Sequence, residues 1–201
     1  MVQGWPARFE HGHVGVRPAV RSDAARLDAL RAKNHAWLGP WDATVPAGSP
    51  TPIRTHAAMI AFQRRKARDG LMMPFVVTWD KEVVGQLTVN TITRGSAMSA
   101  SIGYWISQSH AGRGVTTLAV ALVSDHLLTA AGLHRVEIAI RPENAASLRV
   151  VEKLGFTEIG LAPRYLHING DWRDHRIFQV LAEDVPNGVV SRLTASGHPD
   201  N

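Results

Sequence analysis

The sequence has no cysteine among its 201 residues. That absence excludes disulfide bonds, a thiolate nucleophile and any metal site built on cysteine ligands. No apolar run approaches the roughly 20 residues that a membrane-spanning helix needs. Residues 1–13 also lack the apolar stretch that is typical of a signal peptide. We therefore expect a cytoplasmic protein that does not contact a membrane.

Acidic residues are fewer than basic ones. Lys and Arg total 22 against 17 Asp and Glu, which gives a formal net charge of +5. This excess favours anionic ligands, but it is small and dispersed, so direct nucleic-acid binding is not expected. The rest of the composition is ordinary for a globular chain, and the length suits one domain.

The periodicity of apolar residues predicts one mixed α/β domain over residues 1–186. Antiparallel strands come first and strand–helix–strand units follow, which is typical of a mixed sheet flanked by helices. The polar and turn-forming residues after Pro186 predict a flexible tail over residues 187–201. The predicted strands cover residues 13–20, 75–79, 83–91, 100–107, 136–140 and 172–181, and the predicted helices cover 24–33, 54–69, 115–131 and 145–154.

The most informative segment joins a strand to a long apolar helix. Ile102–Ser107 leads to Gly112-Arg113-Gly114, and Val115 begins a run with apolar residues at helical spacing. Glycines at a helix start let the backbone approach a ligand closely, and the unpaired amides there favour a pyrophosphate. A plain strand-to-helix turn is the alternative interpretation of the same two glycines.

Two other phosphate-binding loops do not fit this segment. A nucleoside-triphosphatase loop needs Lys after its last glycine, where this chain has Val115. A dinucleotide fold needs a third glycine, which would fall at Thr117, and a ribose-binding acid about twenty residues further on. Asp125 comes too early for that acid, and Glu137 lies within the next predicted strand.

A second polar helix start follows the next strand. Asn144 and Ser147 stand at its beginning, and the segment ends with Gly155 and Phe156. Asn is a good N-cap, so capping alone would account for it. A capping amide can also face a ligand, and the two roles therefore stay open together. With the glycine turn, this start predicts a site for an acylated coenzyme.

These segments resemble the GNAT superfamily of acetyl-CoA-dependent N-acetyltransferases. Within it they are similar to the Rim-type enzymes, which acetylate the N-terminal amine of ribosomal proteins. The resemblance extends over most of residues 12–182. It implies a GNAT-like mixed, mostly antiparallel sheet in which two strands splay apart to form the acetyl-CoA cleft. It rests on residues 34–41, on 102–106 together with 112–117, and on 144–156 and 169–175.

The resemblance also implies the residues that bind acetyl-CoA, the co-substrate. The pantetheine arm would pair with backbone groups of Tyr104, Trp105 and Ile106, with Asn144 on its other side. Ser147 would lie near the thioester sulfur and donate a proton to the leaving thiolate. The pyrophosphate would be held at the helix start by Gly112, Arg113, Gly114, Val115, Thr116 and Thr117.

The proton acceptor is less clearly indicated. Some members of this family have a glutamate base where this chain has Ala139, and a tyrosine acid where it has Val151. Glu137 and Glu158 are the nearby carboxylates, so they are the candidate bases. Deprotonating an α-amine at neutral pH costs about 1–1.4 kcal/mol, against about 4–5 kcal/mol for lysine. A site with a weak base therefore suits an N-terminal amine.

The resemblance favours a protein N-terminus as the acceptor, in particular the N-terminal alanine of a ribosomal protein. A small amine such as an antibiotic or a polyamine is an alternative acceptor, although no acidic cluster favours a polycation. A non-catalytic acyl-CoA-binding module is the third interpretation. The protein is expected to be a monomer or a homodimer.

The remaining polar and aromatic candidates have more than one interpretation. His11 and His13 lack a third ligand, so no metal is expected. Trp37 and Trp41 lie in a loop rich in proline and glycine and are candidates for lining the acceptor cleft. The Asp174–His175 pair is interpreted either as hydrogen-bonded scaffold or as cleft lining.

Overall fold

Eight strands form one continuous sheet in the computed structural model, which describes residues 3–50, 53 and 55–195. Their order across the sheet is β1-β2-β3-β4-β5-β6-β8-β7, and only the β5–β6 pair is parallel. The predicted mixed, mostly antiparallel sheet is therefore confirmed. The strands are β1 (Phe9–His11), β2 (Val14–Pro18), β3 (Met73–Trp79), β4 (Glu82–Thr93), β5 (Ser99–Ile106), β6 (Arg135–Ile140), β7 (Thr157–Ile168) and β8 (Asp171–Leu181).

Helices cover both faces of the sheet. The described α-helices are α1 (Ala24–Lys33), α2 (His35–Leu38), α3 (His56–Arg68), α4 (Val115–Leu128), α5 (Ala145–Lys153) and α6 (Ser191–Ala195). On one face α1 and α3 bury Leu27 and Ile60 against Val76 of β3. On the other face α4 and α5 bury apolar side chains against β5, β6 and β8. None of the helices in the described ranges is long and apolar enough to cross a membrane.

Local signals in the sequence account for the hairpin and the helix starts. Asp80 and Lys81 both have positive φ angles, 48° and 70°, which suits the tight two-residue turn between β3 and β4. Gly114, with φ of 77°, precedes α4, and the Asn144 side chain caps α5. The helix predicted over residues 115–131 ends earlier, at Leu128, and Gly132 follows with φ of 63°.

The β5–β6 pair separates soon after it begins. Its parallel register covers only Ser99 to Ser101, which faces Glu137. Beyond that point β5 continues beside β4 and β6 continues beside β8. The sheet therefore has a gap between the last residues of β5 and those of β6, and this gap is the splayed strand pair that the family resemblance implied.

Several parts of the chain differ from the sequence-based expectation, among them β1 and α2, which were not predicted. Strand β7 was not predicted, because its side chains are mostly exposed and give no alternating apolar pattern. The predicted boundary at residue 186 is too early. Val189 is fully buried in the core, and the backbone amides of Val189 and Val190 donate hydrogen bonds to the Asp125 carboxylate. Residues 196–201 of the predicted tail lie outside the described residues.

Candidate active site

The gap between β5 and β6 contains a cavity of about 180 Å³. Because side chains alternate along a strand, residues from both faces of the sheet reach it. Tyr104 packs on the face covered by α4 and α5, as Ile138 does. Ala139 and His175 belong to the opposite face. The lining residues are Trp41, Ile102, Gly103, Tyr104, Ile138, Ala139, Ile140, Arg141, Asn144, Ser147, Leu166, Ile168 and His175.

The β5 backbone offers unpaired polar groups to this gap. The Ser107 amide donates to the Val84 carbonyl at 2.9 Å, so Ser107 lies in the hydrogen-bonded ladder with β4. Hydrogen-bonded residues alternate along an antiparallel pair, and Trp105 therefore also faces β4. The polar backbone groups of Tyr104 and Ile106 face the gap instead. The backbone groups of two of the three predicted strand residues thus face the gap, and those of Trp105 face away from it.

The end of β5 is held by the segment that follows α1. The Trp37 indole Nε1 donates to the Ile106 carbonyl at 3.2 Å, which leaves the Ile106 amide for a ligand. The buried Asn34 accepts a hydrogen bond from the Gln108 amide through Oδ1, and its Nδ2 donates to the Ser107 hydroxyl. Residues 34–41 and the end of β5, which both carry the family resemblance, are therefore joined by direct contacts.

The glycine turn precedes α4 in an open conformation. Gly112 and Gly114 both have φ of 77°, and no heavy atom lies within 4 Å of a Cβ built at either residue. No side chain within the described part of the chain caps the helix, and the first intrahelical bond to Gly114 comes from the Leu118 amide. The amides of Val115 to Thr117 consequently point out of the helix start without intrahelical partners. Arg113 is exposed beside them.

Asn144 and Ser147 meet Tyr104 on one side of the cavity. The Asn144 Oδ1 accepts a hydrogen bond from the Ser147 amide at 3.1 Å, which confirms the predicted cap. The Ser147 hydroxyl remains free of that bond. The Tyr104 hydroxyl is buried beside Ser147 but has no hydrogen bond of ordinary geometry with any described residue. Burial raises the pKa of Tyr104 to about 12, and the nearby Ser147 hydroxyl offsets part of that rise.

The structure does not bring either candidate glutamate to the cavity. Glu137 lies where β5 and β6 are still paired, and its carboxylate is 3.5 Å from Arg135. Glu158 lies on β7 and forms two hydrogen bonds with Arg176, at 2.9 and 2.6 Å. These bonds hold the pKa of Glu158 below its ordinary value. Both glutamates were chosen for their nearness along the chain, and strand pairing directs them elsewhere.

His175 lies in the cavity instead, almost fully buried with 3% of its surface exposed. Its Nδ1 is 2.9 Å from the Arg173 carbonyl oxygen. Burial lowers the pKa of His175, against an opposing contribution from that hydrogen bond. The Tyr165 ring packs against the imidazole edge to face, with centroids 5.8 Å apart. Of the two interpretations of the Asp174–His175 pair, the structure supports cleft lining for the histidine.

The other wall of the cavity comes from the segment around Trp41. The Arg141 guanidinium lies over the Trp41 ring, 5.3 Å from its centroid, and donates to the Pro40 carbonyl at 2.8 Å. The following residues attach to the β7–β8 hairpin, because the Thr44 amide donates to the His167 carbonyl at 2.9 Å. Trp41 therefore lines the cavity as the sequence suggested, while Trp37 fixes β5.

The β7–β8 hairpin exposes apolar side chains next to the cavity. Leu161, Tyr165 and Trp172 are each at least half exposed, and Leu166, which lines the cavity, is 40% exposed. Exposed apolar side chains beside a cavity are candidates for contact with a ligand or a partner. No group of three His, Asp or Glu residues that could hold a metal ion occurs within residues 3–50, 53 and 55–195.

Comparisons with known proteins agree with this geometry. A family model described as an acetyltransferase (GNAT) domain matches residues 13–157. The probable N-acetyltransferase YjcK of Bacillus subtilis is 39% identical over 170 residues, which are 84% of this chain and 94% of that protein. The ribosomal protein uS5-alanine N-acetyltransferase of Escherichia coli is 27% identical over 177 residues, covering 84% of this chain and 88% of that protein.

A solved structure is similar over nearly the whole chain. It is Mycobacterium smegmatis RimJ in complex with CoA-disulfide, which is 40% identical to this chain. The match covers 98% of both chains with a TM-score of 0.90. The similarity therefore includes the sheet, the gap between β5 and β6, and the hairpin beside it.

Proposed function

The chain belongs to the GNAT acetyltransferase family and is an N-acetyltransferase of the Rim type, and on that premise we propose that it transfers the acetyl group of acetyl-CoA to a protein N-terminal amine. The proposed acceptor is the N-terminal alanine of a ribosomal protein. The observation that carries the proposal is the gap between β5 and β6. It exposes unpaired backbone groups of β5, the strand that leads along the chain to the glycine-rich helix start, and it lies beside the exposed hairpin.

The coenzyme side of the gap fits an acylated coenzyme. The amides of Val115, Thr116 and Thr117 would hold the pyrophosphate, because a helix start favours a bound anion. The Ile106 amide and the backbone groups of Tyr104, all of which face the gap, would pair with the amide-rich pantetheine arm. The CoA-disulfide bound to Mycobacterium smegmatis RimJ, a chain 40% identical over 98% of this one, supports that placement.

Ser147 is the residue we propose to protonate the leaving thiolate. Its hydroxyl is not needed to cap α5, since the cap uses the Ser147 amide. The neighbouring Tyr104 hydroxyl is buried, protonated at neutral pH and without a protein partner among the described residues. A buried hydroxyl is seldom left without a hydrogen bond, so Tyr104 would pair with the ligand or with Ser147 once the cleft is filled.

A protein acceptor fits the other side of the gap better than a small amine does. The hairpin offers Leu161, Tyr165 and Trp172 as exposed apolar surface, which a small polar amine would not cover. The Escherichia coli relative, named as an alanine N-acetyltransferase of ribosomal protein uS5, supports a ribosomal acceptor. An N-terminal amine also needs less help to lose its proton than a lysine does.

The release of free CoA thiol in the presence of an acceptor panel tests this proposal. The panel contains a peptide that begins with alanine, the same peptide with its N-terminus blocked and one lysine, and spermidine. We expect kcat/KM to be highest for the free N-terminal alanine. Faster turnover of the lysine peptide or of spermidine would replace the proposed acceptor. Binding of acetyl-CoA without turnover of any amine would support the non-catalytic alternative.

A further inference from the structure

Neither candidate glutamate reaches the cavity, so the residue that accepts the proton of the amine is still unassigned. Among the described residues that line the cavity, only Tyr104, Arg141 and His175 can gain or lose a proton near neutral pH or above. Tyr104 has a pKa of about 12 and stays protonated, and an arginine stays cationic. His175 is therefore the one lining residue that can take up a proton at neutral pH.

We propose that Nε2 of His175 accepts the proton that the acceptor amine loses before acetyl transfer. The assignment rests on the proposed function and names the base within it. His175 belongs to the face of the sheet opposite Tyr104 and Ser147, and the gap joins the two faces. An amine that arrives on the His175 side would thus meet a thioester held on the Ser147 side.

The hydrogen bond of His175 fixes which nitrogen is free. A carbonyl oxygen only accepts, so Nδ1 must donate its proton to the Arg173 carbonyl. In the neutral imidazole Nε2 then carries the lone pair, and it has no hydrogen bond with any described residue. Ala139, on the same face of the sheet, adds only a methyl group to the cavity and cannot compete as a base.

The surroundings of His175 keep the imidazole neutral. Burial is the main cause of its lowered pKa, and the Arg141 cation on the β6–α5 loop acts in the same direction. Glu143 on that loop and Asp174 on β8 act in the opposite direction. From β7 the neighbour is the uncharged Tyr165 ring. The net effect leaves the basic form populated at neutral pH.

The proton count closes with these residues. An ammonium loses two protons on its way to an amide. The first passes to Nε2 of His175, after which the nitrogen bonds to the acetyl carbon and the carbon–sulfur bond breaks. The thiolate takes a proton from the Ser147 hydroxyl, which regains one as the nitrogen loses its second proton. His175 gives its proton to water, so one proton is released for each acetyl group.

The substitution His175→Asn tests the assignment. An asparagine amide can still donate to the Arg173 carbonyl but has no basic atom. With the alanine peptide at pH 7, we expect kcat/KM to fall about 100-fold or more. The dissociation constant of acetyl-CoA, measured by calorimetry, should change less than about twofold. The control is His134→Asn, an exposed histidine paired with Glu183 at 3.0 Å, which should keep wild-type kinetics.

The pH dependence separates a proton acceptor from a structural residue. The folded pKa of His175 lies below 6.5, so wild-type kcat/KM should fall only as the pH drops through that lower value. The variant must capture an amine that is already neutral, so its rate should keep rising up to the amine pKa, at about 7.7–8.0. The loss of kcat/KM in the variant, relative to wild type, should likewise be smaller with a peptide that begins with 3-fluoroalanine, because its amine is less basic. A deficit that is constant across pH and acceptor would overturn the assignment.

A measurement on the wild-type protein does not depend on the variant folding. The titration of the His175 ring, followed by NMR, should coincide with the low-pH limb of kcat/KM. Two separate midpoints would rule out His175 as the base while leaving the acetyltransferase intact. If the panel identifies another amine as the acceptor, the same comparison applies to that amine. Absence of turnover with every amine would overturn both the proposed function and the role of His175.

Discussion

The two sides of the β5–β6 gap are built from different kinds of groups. The side proposed to hold the coenzyme, called the coenzyme side, consists largely of backbone, namely the start of α4 and the outward-facing groups of Tyr104 and Ile106. The side proposed to receive the acceptor, called the acceptor side, consists of side chains, among them Trp41, Arg141 and His175. These side chains come from separate segments of the chain that the folded sheet brings together.

The difference shows how each side is held in place. Backbone groups take their positions from secondary structure, so a few glycines and a cap are enough to set the coenzyme side. The acceptor side depends on long-range contacts, such as the one between Arg141 and the Pro40 carbonyl. Substitutions on the coenzyme side should therefore act on coenzyme affinity, and those on the acceptor side on turnover or acceptor selection.

The largest expected effect is on the coenzyme side, at Gly114. The change Gly114→Trp places an indole in the space where the pyrophosphate would lie. Calorimetry should show acetyl-CoA affinity falling by at least about 160-fold, because two lost hydrogen bonds to a charged group contribute about 1.5–3 kcal/mol each.

The control for that change is Gly95→Trp in the β4–β5 turn. Gly95 also has a positive φ, 72°, and no heavy atom lies within 4 Å of its built Cβ. It carries the same backbone strain away from the gap and should bind acetyl-CoA normally. Normal affinity in Gly114→Trp would refute the phosphate-binding role of the turn.

The next effect is expected at Ser147, a residue beside Tyr104 that is proposed to donate a proton rather than to hold the coenzyme. Ser147→Ala keeps the backbone amide that Asn144 caps, so α5 should be undisturbed. We expect kcat to fall about 100-fold, at the low end for general-acid catalysis because a thiolate leaves readily. Steady-state kinetics should show an unchanged KM for acetyl-CoA. Unaltered kcat would leave Ser147 as no more than a residue of the helix start.

A smaller and more selective effect is expected on the acceptor side, at Trp172. Trp172→Ser removes an exposed ring from the hairpin, and the KM of a whole protein acceptor should rise about tenfold, as for a typical interface anchor. For a tripeptide with the same first residues as the protein acceptor, the wild type and Trp172→Ser should have the same KM. Leu71→Ser, which changes another exposed apolar residue, is the control. Equal losses for protein and tripeptide would contradict a docking role.

The smallest effect is expected at the glutamates that face away from the gap. Glu158→Gln breaks the exposed contact with Arg176, and kcat/KM should stay within about twofold of wild type. Glu137→Gln should behave in the same way. A tenfold loss in either variant, in a rate assay with the alanine peptide, would return that carboxylate to the list of candidate bases.

The coenzyme side could be predicted from the sequence because its signals are local. Gly112 and Gly114 precede a helix with clear periodicity, and Asn144 stands at a recognisable cap position. The orientation of Trp105 could not be predicted, since it depends on the register of β5 against β4. An error of one residue in that register would turn the backbone groups of Trp105 from β4 toward the gap.

The acceptor side was harder to predict because residues that are close in sequence are not close in space there. Glu137 and Glu158 lie near Ser147 in sequence, yet pairing with Arg135 and Arg176 holds them elsewhere. His175 comes from β8, which the sheet places beside β6. Strand β7 was missed because an exposed edge strand has few buried residues to set an alternating pattern. Trp41 and the Asp174–His175 pair were the local signals of this wall.

Because the gap is lined from both faces of the sheet, the donor and the acceptor would enter it from opposite faces. Neither has to depart before the other enters, so reciprocal rate plots at several fixed donor levels should cross rather than run parallel. Free coenzyme should then compete with the donor alone. The acyl group would pass directly from donor to acceptor while both are bound, and no covalent acyl-enzyme intermediate would form.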